Sequence, residues 1–173
     1  MAVVKRNELA SHFSGRGKSP QCVLIYGADR SAVVDLCNSI VMQVTGGGAP
    51  SVIRLSEAQV TSAPDRLYSE FAARSMFGDK QVVWISDAGD AIVKALEPIL
   101  ASGEEGNLIL IDGSTLPKAS KLRKLCETDR RSLVCPLYEE SLHELRLRFE
   151  KQVRGAGVAI SDELQITVRP LCI

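Results

Sequence analysis

Residues 21–44 read QCVLIYGADRSAVVDLCNSIVMQV, and the way this stretch divides decides the fold. Its first six residues are a nearly apolar run of strand length, ended by Gly27-Ala28-Asp29. Apolar residues then recur at Val33, Val34, Leu36, Cys37, Ile40, Val41 and Val44. Offsets of three and four put them on one stripe of a helix from about Ser31, facing a sheet. Asp29 or Ser31 is the expected N-cap, and Gly46-Gly47-Gly48 the expected stop.

The same alternation continues outward. SVIRL (51–55) reads as a second strand, and Pro64 opens a helix to about residue 73, where a missing N–H is harmless in the first turn. KQVVWIS (80–86) reads as the third strand, followed by a helix over 90–101 that Pro98 should kink or shorten. NLILID (107–112) is the fourth strand, 117–127 a basic amphipathic helix, 132–135 a fifth strand and 139–154 a charged amphipathic helix. Strands apolar throughout, alternating with helices, require a parallel sheet covered on both faces. The expectation is a three-layer, doubly wound α/β domain over 21–157 with a mainly parallel five-stranded sheet, preceded by an N-terminal extension with a helix over 1–20. After Gly155-Ala156-Gly157 the pattern changes, and 158–173 reads as the opening of a following domain.

The composition agrees. In 173 residues, 21 Lys+Arg balance 21 Asp+Glu, with 45% hydrophobic and 5% aromatic residues, which is the make-up of one ordinary globular domain. A net charge of zero argues against backbone-driven nucleic-acid binding by the whole surface, though not against a local basic patch. No apolar run approaches the roughly 18 residues needed to cross a bilayer. The charged start MAVVKRNELASHFSGRGK lacks the apolar core of a signal peptide, so a cytoplasmic location is expected. Cys22, Cys37, Cys126, Cys135 and Cys172 show no CxxC spacing and read as buried, reduced thiols. With only His12 and His143 beside them, no metal site is expected.

In a doubly wound fold, ligands sit at the carboxyl ends of the strands. A phosphate-binding loop there needs several glycines followed by Lys-Ser/Thr. The turn Tyr26-Gly27-Ala28-Asp29-Arg30-Ser31-Ala32 has one glycine, no such pair and no GxGxxG, and Asp29 places an anion where a phosphate would sit. This is a nucleotide-binding architecture without the nucleotide site, so no cofactor and no catalytic residue are expected. Asp87, just past the third strand, is followed by Ala88 rather than a catalytic Glu. It could also be a receiver-type phosphoacceptor, but that chemistry wants paired acids after the first strand and a Lys after the last. Asp87 and Asp112 therefore read as turn and cap residues.

Two stretches invite a partner. Lys118, Lys121, Arg123 and Lys124 lie in the 117–127 helix; they read either as a solvated face with cations toward the helix C-terminal half, or as a patch facing DNA phosphate or a partner. Met76 and Phe77 are adjacent between a helix ending near Arg74 and a strand beginning near Lys80. A turn can bury both; exposed, they form a compact hydrophobic plug for a partner's pocket.

Taken together, LIYGADRSAV, ARSMFGDKQVVWISDAG, NLILIDGSTLPKASKLRKLCE and LVCPLYEE resemble the amino-terminal domain of the delta subunit of the bacterial DNA polymerase III clamp loader. The resemblance runs from about Cys22 to Ser161, and its most specific parts are SMFGDKQVV and SKLRK. It implies an AAA+-like domain without a working phosphate loop, followed in the family by a lid and a collar domain. It also implies a non-catalytic subunit that binds and helps open the ring-shaped sliding clamp, the beta subunit, in DNA replication. The other loader subunits, delta prime and gamma/tau, would be partners, and DNA would be met through the complex. The family's clamp-binding hydrophobic pair matches Met76 and Phe77, with Phe71 and Arg74 in support. Leu is common where Met76 stands, and Met fills apolar pockets adaptably. Two alternatives remain beside it: an AAA+-type nucleotide-binding protein with a degenerate site, and a receiver-like phosphorylation switch.

Overall fold

The computed structural model describes residues 2–9, 11–14, 19–46, 52–74 and 81–138. Strands β1 (Ala2–Val3), β2 (Cys22–Gly27), β3 (Val52–Ser56), β4 (Val82–Ser86), β5 (Leu108–Gly113) and β6 (Ser132–Leu137) form one six-stranded sheet in the order β1-β6-β2-β5-β4-β3. Every pairing is parallel. The five expected strands are all present, and the addition is β1, a two-residue edge strand in the stretch read as an extension. Two helical turns come after it, α1 (Arg6–Leu9) and α2 (Ser11–Ser14).

Alternation along the strands divides the core between the two faces of the sheet. Val23 and Ile25 of β2, Trp84 of β4 and Leu110 of β5 point to one face, with Leu9 and the stripe Val33, Leu36, Cys37, Ile40 and Val41 of α3 (Arg30–Val44). Leu24 and Tyr26, Val83 and Ile85, and Ile109 and Ile111 point to the other. That face is covered by α4 (Glu57–Ser62), α5 (Pro64–Ala72), α6 (Val93–Ser102) and α7 (Lys121–Thr128). β2 lies between β6 and β5 and is buried along its whole length, which is why its sequence is an unbroken apolar run.

Three elements differ from expectation. α4 comes directly after β3, started by a capping box in which Ser56 Oγ accepts from Gln59 N (3.3 Å) and Gln59 Oε1 from Ser56 N (2.9 Å). α6 runs through Pro98 to Ser102, so Pro98 does not shorten the helix expected over 90–101. Pro98 is exposed while Ala95, Leu96, Ile99 and Leu100 are buried, so packing of the inner face carries the helix past the missing hydrogen bond. α7 begins at Lys121, four residues later than its apolar pattern suggests, because Pro117 opens a separate turn in which its carbonyl accepts from Ser120 N (2.9 Å). The expected helix over 139–154 and the domain start at 158–173 lie outside the described residues. Cys22, Cys37, Cys126 and Cys135 are buried free thiols; the adjoining Cys126 thiol and burial push Cys22 up, and burial pushes Cys135 up to about 11.

Candidate functional site

The crossover through α3 leaves β2 toward β4 and β3, whereas α7 carries the chain from β5 back across β2 to β6. The two helices cover opposite faces, so a crevice opens between the carboxyl ends of β2 and β5, where doubly wound folds hold ligands. Here the protein's own side chains fill it. Asp112, at the end of β5, is 1% exposed and accepts from Arg30 Nη1 (2.6 Å), Trp84 Nε1 (2.5 Å) and the Asp87 backbone N (2.8 Å). Arg30 sits in the first turn of α3, and its guanidinium also lies 3.6 Å from the exposed Asp87 carboxylate. A buried carboxylate with a guanidinium and two N–H donors is a satisfied structural hub. Asp112 is thus more than the turn or cap residue expected: it joins α3, β4 and β5 at one point.

The remaining features of a phosphate cradle are also committed. Asp29 Oδ1 accepts from Ala32 N (3.0 Å), occupying the α3 N-terminus with an internal anion. The one glycine of the turn has a packing reason, since a Cβ on Gly27 would overlap the Leu137 carbonyl oxygen of β6. Asp87 is the only non-glycine residue with a positive φ (57°) among the described residues; its N–H and that of Ala88 are taken by the Asp112 carboxylate and carbonyl. Beside it lies an open groove of about 740 Å³ that presents Glu57 and Asp87 with Ser56, Thr61, Ser62 and Ser86, with no cation among its described lining residues. Such a lining disfavours a phosphate.

At the same edge, Asp90 reaches across to α7. Its Oδ1 accepts from Ser120 Oγ (2.6 Å) and Leu122 N (3.0 Å), and the Leu122 N–H, the Ser120 hydroxyl and the Lys121 N–H hold its carboxyl below the usual carboxylate range. Because α7 starts late, Lys121, Arg123 and Lys124 stand in its first turns, while Lys118 precedes it. The expected stabilisation of these cations by a helix C-terminus therefore does not apply; Asp90 supplies the negative charge that this N-terminus calls for. Arg123 is engaged internally, through Glu127 (2.7 Å) and over the Tyr26 ring (5.4 Å). Lys118, Lys121 and Lys124 are exposed.

Met76 and Phe77 lie outside the described residues. Of the two supporting residues, Arg74 is exposed, whereas Phe71 is 1% exposed and packs in the core, so it holds the end of α5 from beneath. That end is gripped by a feature that nothing in the sequence pattern singled out. Asn107 N donates to Phe71 O (2.8 Å), and Asn107 Nδ2 donates to Glu70 O and Ala73 O (2.8 Å each).

No protein-family model matches the chain, and no curated protein matches it in sequence. Solved structures do match. The chain is similar to the Bacillus subtilis DNA clamp loader delta protein with a TM-score of 0.62 and 12% identity, over 87% of this chain and 48% of that one. It is also similar to a DNA polymerase III gamma subunit-related protein from Thermotoga maritima, with a TM-score of 0.52 and 12% identity over 84% of this chain and 49% of that one. The chain thus shares the α/β fold of these two structures and spans about half the length of each.

Proposed function

We propose that this chain belongs to a delta-type clamp-loader subunit, which binds a ring-shaped sliding clamp and helps open it during DNA replication without chemistry of its own. The observation that carries this reading is an NTPase-like sheet whose ligand crevice is closed by Arg30, Asp112 and Trp84. A fold of that kind, freed from nucleotide binding, suits a subunit that contributes binding energy while other subunits hydrolyse ATP. The likeness to a clamp-loader delta protein and the sequence resemblance around SMFGDKQVV support it.

In this reading Met76 and Phe77 enter an apolar pocket on the clamp, Phe71 steadies the helix behind them, and Arg74 lies at the rim. Binding favours the opened ring only by its excess affinity for that state over the closed one. Delta prime and gamma/tau subunits are the further partners, DNA is met through the complex, and the setting is the cytoplasm. The exposed Lys118, Lys121 and Lys124 would, in this reading, face DNA or a neighbouring subunit.

The test is binding to the cognate sliding clamp, wild type beside Met76→Ala/Phe77→Ala. Losing two buried anchors is expected to cost about 2 kcal/mol or more, roughly thirtyfold in Kd. An unchanged Kd in the folded double variant would remove the proposed site. The likeness to a gamma-related protein favours one second reading, a degenerate nucleotide-binding AAA+ protein. Micromolar binding of a fluorescent ATP analogue would support it and contradict the closed crevice.

A further inference from the structure

The grip on α5 is more extensive than a helix end requires. The loop between α6 and β5 meets α5 at four places along its length. Tyr68 OH donates to Glu104 Oε2 (2.8 Å), and Asn107 takes the carbonyls of Glu70, Phe71 and Ala73 through its side chain and backbone. Glu70 and Phe71 lie in the last turn and Ala73 is the C-cap; such carbonyls have no partner within the helix and are ordinarily left to water or a local cap. Gly106 closes the contact: a Cβ there would fall 2.5 Å from the Phe71 carbonyl oxygen and 2.7 Å from its ring. Any side chain at 106 would push α5 away.

The loop is itself anchored on the sheet. Gln21 Nε2, at the entry to β2, donates to Glu104 O (2.5 Å), and Arg131 Nη1, at the entry to β6, donates to the same carbonyl (3.1 Å). Arg131 Nη2 holds Leu100 O at the end of α6 (2.6 Å). The end of α5 is therefore tied through one loop to the entries of β2, β5 and β6, three neighbouring strands of the sheet. A free helix end frays; this one is fixed in trans by donors from outside its own sequence neighbourhood.

We propose that Gly106 and Asn107 are positioning residues for partner docking: they fix the carbonyl end of α5, the last described support before the docking pair. This rests on the reading that Met76 and Phe77 dock into the clamp. Fixing that support lowers the ordering cost of binding, which is how preorganisation raises affinity without adding a contact.

The experiment measures clamp affinity and thermal stability of the full chain as wild type, Asn107→Ala, Asn107→Ser and Ser56→Ala. Ser56→Ala removes the α4 cap at the opposite edge of the sheet and serves as a destabilised control away from the α5 end. Asn107→Ala is expected to weaken clamp binding about tenfold. Asn107→Ser, which keeps one donor, should lie between it and wild type, and Ser56→Ala should leave binding unchanged. Should Asn107→Ala not fold, the Asn107→Ser comparison carries the test alone. Folded Asn107 variants that bind as wild type does, while Met76→Ala/Phe77→Ala is lost, would overturn the positioning role and leave the docking site standing. Equal weakening by Ser56→Ala would also overturn it, by showing a general effect of stability. Unchanged binding by Met76→Ala/Phe77→Ala would overturn the docking reading and the positioning role with it.

Discussion

The two edges of the sheet use polar groups in opposite ways. At the carboxyl edge, charges turn inward: Asp112 is enclosed by Arg30, Trp84 and the Asp87 turn, Asp29 caps its own helix, and Asp90 caps α7. At the amino edge, polar groups reach sideways from one element to the next, from Gln21 and Arg131 to the 103–107 loop and from Asn107 to α5. The first arrangement consumes a ligand site, and the second holds a helix end in place for the chain that leaves it. A fold that usually keeps its chemistry at the carboxyl edge has here made that edge structural.

The largest expected effect tests this contrast at its centre. Asp112→Ala strands a guanidinium, an indole N–H and a backbone N–H around a buried space, and should cost about 3–5 kcal/mol in urea unfolding. Asp112→Asn, which keeps one acceptor oxygen, should cost less. If Asp112→Ala unfolded at the wild-type denaturant concentration, the crevice would be a tolerant site and not a structural hub.

Gly27→Ala comes next. A phosphate-loop glycine is needed by the ligand, whereas this one is needed by β6, since its Cβ would overlap the Leu137 carbonyl oxygen. Overpacking of that kind is expected to lower stability by about 1–3 kcal/mol in the absence of any nucleotide. Wild-type stability in the variant would return the glycine to the ligand side of the comparison. Ser56→Ala, at the same edge, should cost about 1 kcal/mol as the loss of one capping box, measured by the same unfolding curves.

Legibility in the sequence tracks the range of the interactions. β2, β4 and β5 are buried on both faces, so their apolar runs announce themselves, and the amphipathic stripe of α3 does the same. α4 carried a readable signal, Ser56 with Gln59 three residues later, but with Val60 as its only buried residue it has almost no apolar stripe. β1, at two residues, is too short for any periodicity. The hub was half legible: an aspartate ending an otherwise apolar strand needs a partner, yet Arg30 is 82 positions away and only the strand order brings it there. The α7 start depended on Asp90, 32 positions from the Leu122 N–H it accepts, and the α5 grip on Asn107, 37 positions from Glu70. The clamp-binding role proposed for Met76 and Phe77 came from family resemblance, because two adjacent apolar residues have no periodicity to say which way they face.

The smallest effect separates charge from hydrogen bonding at the carboxyl edge. The Leu122 N–H, the Ser120 hydroxyl and the Lys121 N–H favour the ionised form of Asp90, so its pKa is lower in the folded chain than in the unfolded one. The unfolded state then binds the proton more readily, and stability from this group is present above the ordinary aspartate value near about 4. It is lost as pH falls through the depressed folded value. Asp90→Asn keeps an acceptor for Leu122 N and removes only the charge. Its stability deficit should therefore be constant above about pH 5 and shrink as the pH is lowered past about 4, where the wild-type carboxyl also becomes neutral. Thermal unfolding of both proteins from about pH 5 to well below about pH 4 reads this directly. A deficit that stays the same at acid pH would mean that geometry and not charge ties the β4 turn to α7, and the carboxyl edge would then be held together by shape as the amino edge is.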